Sequence, residues 1–266
     1  MKVQKNRRIG GQPYELEFYD GFESGALATD KWIPYYLPQW SNRARSAPRY
    51  DFAENALVLK IDPDQQPWCE EFNGPVRVSS LQTGLFSGPL GSQIGQHRFS
   101  RECIVREAQE TTKTYLPQYG YFELRARCEI SAHNVAALWM IGFEDTPEHS
   151  AEICLFELKG GNIEKDQARI GYGIHPFGDP AITDDFHEDV FELDATQYNT
   201  YAAEWTEKAV SFFINDRKVR TIAQSPAYPM QLMLNIYDLE QRNSEKMHFF
   251  VDYVAGYQLA DSRSHT

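Results

Sequence analysis

Residues 150–160 read Ser-Ala-Glu-Ile-Cys-Leu-Phe-Glu-Leu-Lys-Gly, two carboxylates set inside an otherwise apolar run. β-branched and aromatic residues are frequent in it, and the turn-forming Thr146-Pro147-Glu148-His149 precedes it, so it reads as a strand. Acids in such a run are costly unless they are paired, hydrogen-bonded or employed. In a regular strand Glu152 and Cys154 share one face, while Ile153 and Leu155 share the other. Strict alternation then turns Glu157 away from Glu152. One bulged residue near Phe156 brings Glu157 back to the face of Glu152. The two Cα atoms are then roughly 13 Å apart, four strand steps of about 3.3 Å.

The neighbouring segments say what kind of sheet holds this strand. From Tyr121 to Ile130 the chain alternates cleanly: Phe122, Leu124, Ala126, Cys128 and Ile130 face a core, and Tyr121, Glu123, Arg125, Arg127 and Glu129 face away. Val135 to Phe143 is apolar on both faces, the mark of a central strand covered on both sides. Further strands are read at 14–20, 56–61, 76–86, 169–175, 201–205, 210–214, 218–222, 230–237 and 247–259. Helical periodicity is nearly absent, so the fold class is all-β, a sandwich or barrel. No repeat, linker or composition shift divides the chain. Residues 14–266 are read as a single domain and 1–13 as a flexible tail whose basic residues are solvated.

Composition removes several classes of function. The chain has 266 residues and a net charge of −12, which disfavours nucleic acid and anionic membranes as partners. No apolar run is long enough to span a membrane. The basic start leads into Gly10-Gly11-Gln12 rather than an apolar stretch, so no signal peptide is read; the expected location is cytoplasmic as written, or extracellular if a leader has been removed. Cys69, Cys103, Cys128 and Cys154 lack metal-site spacing and are expected as free thiols, with a Cys69–Cys103 bridge as the alternative. The glycines at 84, 88, 91 and 95 make turns rather than a phosphate cradle, and no Gly-x-Ser-x-Gly elbow supports acyl transfer. Residues 31–50 form a long aromatic loop, either packed on itself or walling a cleft with Trp40, Tyr35 or Tyr36.

Glu152-Ile-Cys-Leu-Phe-Glu157 resembles the active-site strand of glycoside hydrolase family 16, Glu-x-Asp-x-x-Glu in its bulged form, with Cys154 in place of the central Asp. Tyr119-Gly-Tyr-Phe-Glu-Leu-Arg125 is similar to that family's Tyr-Gly-x-Phe-Glu-x-Arg strand, and Ala137-Leu-Trp-Met140 to its Ala-Phe-Trp-Met element. Tyr201–Trp205, Phe213–Asp216 and the closing strand around Val251–Gln258 extend the resemblance over about residues 14–259. The first Trp of the family's Leu-Trp-Pro-Ala-Phe-Trp element falls at about Val135.

The resemblance implies a β-jelly-roll of two curved antiparallel sheets with a concave substrate cleft, in the laminarinase and lichenase manner. It implies a retaining endo-glycoside hydrolase acting on a β-glucan, β-1,3-linked by default. Glu152 would be the nucleophile and Glu157 the general acid and base, the acid carrying the raised pKa, with carboxyls about 5–5.5 Å apart. Trp139, His175, Phe177, Asn235 and Trp40 are the candidate substrate-binding residues. Asp252 stands where some members place a ligand of a structural calcium; no cofactor is required. The partner is a polysaccharide or oligosaccharide, and the chain is read as a monomer. Two rivals use the same cleft: a transglycosylase, in which an acceptor sugar replaces water, and a lectin-like module that binds carbohydrate without turnover.

Overall fold

The structure is a computed structural model and describes residues 3–242 and 246–260. Seventeen strands follow one another: β1 (Asn6–Ile9), β2 (Gln12–Asp20), β3 (Arg49–Ala53), β4 (Ala56–Lys60), β5 (Arg77–Gln82), β6 (Gly84–Leu85), β7 (Thr112–Lys113), β8 (Gly120–Ile130) and β9 (Asn134–Gly142). After these come β10 (Glu152–Lys159), β11 (Ala168–His175), β12 (Asp185–Phe191), β13 (Asn199–Trp205), β14 (Val210–Ile214), β15 (Arg217–Ile222), β16 (Met230–Asp238) and β17 (Met247–Leu259). The only α-helices among the described residues are single turns at Arg43–Ser46 and Glu70–Asn73. None is long and apolar enough to cross a membrane.

Two antiparallel sheets carry the architecture. One runs β1-β2-β17-β8-β13-β14-β15, with β4 on β17 and β3 on β4; the other runs β12-β11-β10-β9-β16-β5. The core between them takes one side chain in two from each. From β8 it takes Phe122, Leu124, Ala126, Cys128 and Ile130, the set that the alternation assigns inward. From the facing sheet it takes Ala136, Leu138 and Met140 of β9 and Leu232, Leu234 and Ile236 of β16. Burying these branched and aromatic side chains contributes roughly 1.5–3 kcal/mol each, which makes this core the main stabilising element.

β9 is buried along its whole length, as a strand apolar on both faces requires. Its second face, with Ala137, Trp139 and Ile141, meets Tyr36, Leu37, Trp40, Trp68, Cys69 and Cys103 from the loops rather than solvent. All four cysteines are buried and unbridged.

Residues 3–13 are not the loose tail that their composition suggests. β1 pairs with β2 from Asn6 opposite Glu15 to Ile9 opposite Gln12. Gly10 and Gly11, at φ 55° and 86°, make the two-residue turn that this pairing needs. Arg7 ties the hairpin down: its guanidinium bonds to the buried Glu123 carboxylate and lies 5.1 Å from the centre of the Tyr121 ring. An unpaired Glu123 would be costly at that depth, so a residue that reads as a solvated charge is a structural counter-ion.

Candidate active site

The concave face of the six-stranded sheet is a grid whose rows follow from the register. Glu157 is paired with Ala137, Ala137 with Asn235, and Asn235 with Ser80; on the other side Glu157 is paired with Gly171 and Gly171 with Glu188. The next row runs Gln82, Met233, Trp139, Cys154, Gly173, Phe186. In the third, Glu152 stands between Ile141 and His175. Glu152, Cys154 and Glu157 therefore share this face.

The reason is local. The register of β10 slips between Cys154 and Phe156 against β9, and between Cys154 and Glu157 against β11. Leu155 and Phe156, adjacent in sequence, both point into the core, where Phe156 packs 4.2 Å from the Tyr201 ring and 5.9 Å from that of Phe249. Two successive inward residues are what a bulge produces. Gly171 keeps the space beside Glu157 clear, because a Cβ there would come within 3.1 Å of the Glu157 Cβ and 2.7 Å of the Phe186 ring.

Burial and charge then set the protonation of the pair. Glu152 is 8% exposed, and burial, reinforced by the Glu157 carboxylate, pushes it up to about 8. Burial also raises Glu157, opposed by Lys159, whose Nζ lies 3.7 Å from Glu157 Oε1 and 2.7 Å from Glu188 Oε1. The expectation that Glu157 alone would carry a raised value is thus corrected: both are raised, and the deeper group is Glu152. Carboxyls coupled in this way titrate as a pair. Burial pushes the Cys154 thiol far up, so it stays neutral between them.

The remaining predicted residues divide. His175 stands opposite Glu152 with its ring stacked 4.7 Å from Phe186 and Nδ1 2.6 Å from Asp184. Phe177 is 53% exposed and meets the His97 ring edge-on at 4.9 Å. Trp139 lies on the concave face but is buried, with the His97 ring 5.3 Å away, so it offers no open ring to a sugar. Asn235 faces the same way yet is completely covered, and neither atom of its amide has a hydrogen-bond partner. Trp40 is not a cleft platform either: it is buried, and its indole N–H donates to Gln96 O at 2.9 Å. These three readings fail for one reason, since the loops pack down onto the β9, β16 and β5 side of the face.

At Asp252, the position expected for a structural calcium ligand, the Arg125 guanidinium bonds to the carboxylate. Among the described residues no group of three or more His, Cys, Asp or Glu gathers as a metal site. Sequence reasoning missed His97, Glu144 and Lys159. Lys159 was within reach, because it follows Glu157 by two residues on one strand face. The other two come from distant loops: burial lowers the His97 imidazole to about 4 and raises Glu144 to about 8, and the His97 backbone N–H donates to the Glu144 carboxylate.

The model of the glycosyl hydrolases family 16 matches residues 106–255, more than half of the chain and all of β10. The chain belongs to this family. Among solved structures, a GlcNAcα1-4Gal-releasing endo-β-galactosidase from Clostridium perfringens is similar at 29% identity and TM-score 0.81, over 93% of this chain and 64% of that one. The chain therefore spans just under two thirds of that protein's length. A laminarinase from Flavobacterium sp. UMI-01 is similar at 16% identity and TM-score 0.61, over 92% of this chain and 100% of that one. One from Rhodothermus marinus is similar at 17% and 0.62, over 93% and 98%. At such identities the laminarinases speak for the fold alone, and the fold is the family's β-jelly-roll. No curated protein matches the chain.

Proposed function

We propose that this family 16 chain is a retaining endo-β-glycosidase in which Glu152 is the nucleophile and Glu157 the acid and base. The observation that carries the reading is the slip in β10, which puts a buried carboxyl and a partly exposed one, both of raised pKa, on one concave face with a neutral thiol between them. A double displacement needs one carboxyl ionised and the other protonated. Glu152 attacks the anomeric carbon as Glu157 gives its proton to the departing glycosidic oxygen; Glu157 then takes a proton from water, whose oxygen displaces Glu152 from the sugar with net retention. Of the two single-proton states of the pair, the productive one has Glu157 protonated and Glu152 ionised.

For substrate we place a β-galactoside-containing glycan ahead of the default β-1,3-glucan. Support comes from the likeness to the endo-β-galactosidase, which exceeds that to the glucanases in both identity and TM-score. It comes also from Val135, which stands where the family's element carries its first Trp. The test is turnover on a panel of β-galactans, mucin-type glycans and β-glucans, with the product anomer followed by NMR. Retention on a galactoside supports both parts. Turnover of β-1,3-glucan alone overturns the substrate, inversion overturns the mechanism, and transfer to added sugar in preference to water points to the transglycosylase. Glu152→Gln should bind the substrate without turning it over. Tight binding by a wild type that never turns over points to the lectin-like module.

A further inference from the structure

The concave face differs on the two sides of the catalytic strand. Toward β11 and β12 it is open: the side chains of His175, Glu188 and Lys159 are 31%, 36% and 46% exposed, and the Phe186 ring fills the space over Gly171. Toward β9, β16 and β5 it is closed, with Ser80, Gln82, Met233 and Asn235 all at 0%.

The closure is built rather than draped. Tyr36, Trp40, Trp68 and Cys69 pack on the face together with Cys103 and Val105. Cross-links bind these loops to one another and to the sheet: Gln96 Nε2 donates to Gly142 O at 2.6 Å, Cys69 Sγ to Trp40 O at 3.4 Å, and Tyr237 Oη to Tyr36 Oη at 3.4 Å. A glycan chain cannot continue across β9 without unpacking that cluster. A recess of about 580 Å³ lies at the Glu152 end of the strand, lined by His97, Arg98, Glu144, Ser150 and Phe177 among others. That is the size of a small-ligand site, and far from the length of a polymer groove.

Chemistry decides which part of the substrate the closed side holds. In a double displacement the leaving fragment must depart and admit water while the retained fragment stays esterified to Glu152. The departing fragment belongs on the open side and the retained one in the recess. We propose that the closed side recognises the non-reducing end of a glycan, so that the enzyme releases one short oligosaccharide of fixed length rather than cutting at random. This deepens the glycosidase reading and rests on it.

The test uses wild-type protein and β-linked galacto- and gluco-oligosaccharides of graded length in three forms: free, tagged with 2-aminobenzamide at the reducing end, and capped with a benzylidene acetal at the non-reducing end. Free and reducing-end-tagged chains should give one short product length from the earliest time points. Capped chains should lose kcat/KM by about 100-fold, the scale of a misplaced reacting bond. Capped chains cleaved at the rate of free ones, or a ladder of product lengths at early times, would overturn the proposal while leaving the glycosidase standing. If no free oligosaccharide is cleaved, the glycosidase reading falls and this proposal falls with it.

Discussion

Glu152 and Glu157 are five residues apart on their own strand, yet their partners on the next strand, His175 and Gly171, are only four apart. That single extra residue decides whether the two carboxyls share a face. It is absorbed where Leu155 and Phe156 both turn into the core, so the bulge is held by hydrophobic packing on the face opposite to the chemistry. Packing and function are therefore coupled at Phe156.

Phe156→Ala should accordingly do two things. It removes a fully buried ring that packs against Tyr201 and Phe249, an expected loss of about 3–5 kcal/mol of stability. It also frees the bulge, so kcat should fall in protein that is still folded. Urea unfolding and kcat at a temperature well below the transition check both. Full kcat in the folded variant would show that the backbone alone fixes the slip.

The pH profile follows from the burial of Glu152. As nucleophile it must be ionised, and its pKa is pushed up to about 8. Activity should therefore decline as pH falls through neutrality, with an acidic limb well above the ordinary carboxylate value of about 4.3. The check is kcat/KM against pH, which reports the free enzyme. An acidic limb at an ordinary carboxylate pKa would mean that burial does not hold the Glu152 carboxyl up in the free enzyme.

Lys159 tunes the other limb. Its ammonium favours the ionised form of Glu157 and so holds down a pKa that burial raises. Lys159→Met deletes that charge and leaves Glu188 without its 2.7 Å partner. Both changes favour the protonated acid, so the alkaline limb of the profile should move up. Because Lys159 is about half exposed, the shift should be a fraction of a unit and should shrink in high salt. A downward move would mean that Glu157 is not the acid.

How much of this was legible depended on whether the signal was local. The alternation of Tyr121–Ile130, the two-faced burial of β9 and the spacing of the glutamates are properties of one strand each, and a period can be read along one strand. Exposure of the concave face is a property of the whole molecule. Trp40, Trp139 and Asn235 were read as sugar contacts because each is an aromatic or amide of the right type in the right element. What covers them arrives from segments as far away as Trp68 and Cys103. Arg7 failed in the same manner, since its partner Glu123 is 116 residues away. Residue type and period carry no information about such distant neighbours.

Cys154 stands where the resemblance to family 16 places an Asp, and it gives the sharpest electrostatic test. The thiol is buried between the two glutamates and neutral at working pH. Glu157 already has the Glu188 carboxylate raising it, and an Asp at 154 would add a further negative charge. A like charge at about 6 Å in an effective dielectric near 20 disfavours ionisation by roughly 2–3 kcal/mol. Glu157 is partly open to solvent, so about one pKa unit, near 1.4 kcal/mol, should survive screening. Cys154→Asp should therefore raise the pKa of the acid and carry the alkaline limb of kcat/KM upward by about that much. The sign is fixed: a second negative charge favours the protonated form of Glu157, and the protonated form is the one that donates. If the new carboxyl instead shares a proton with Glu152, the net charge beside Glu157 is unchanged and the limb stays where it was. An unmoved limb, with thermal unfolding showing the variant intact, would mean that residue 154 adds no net charge beside Glu157.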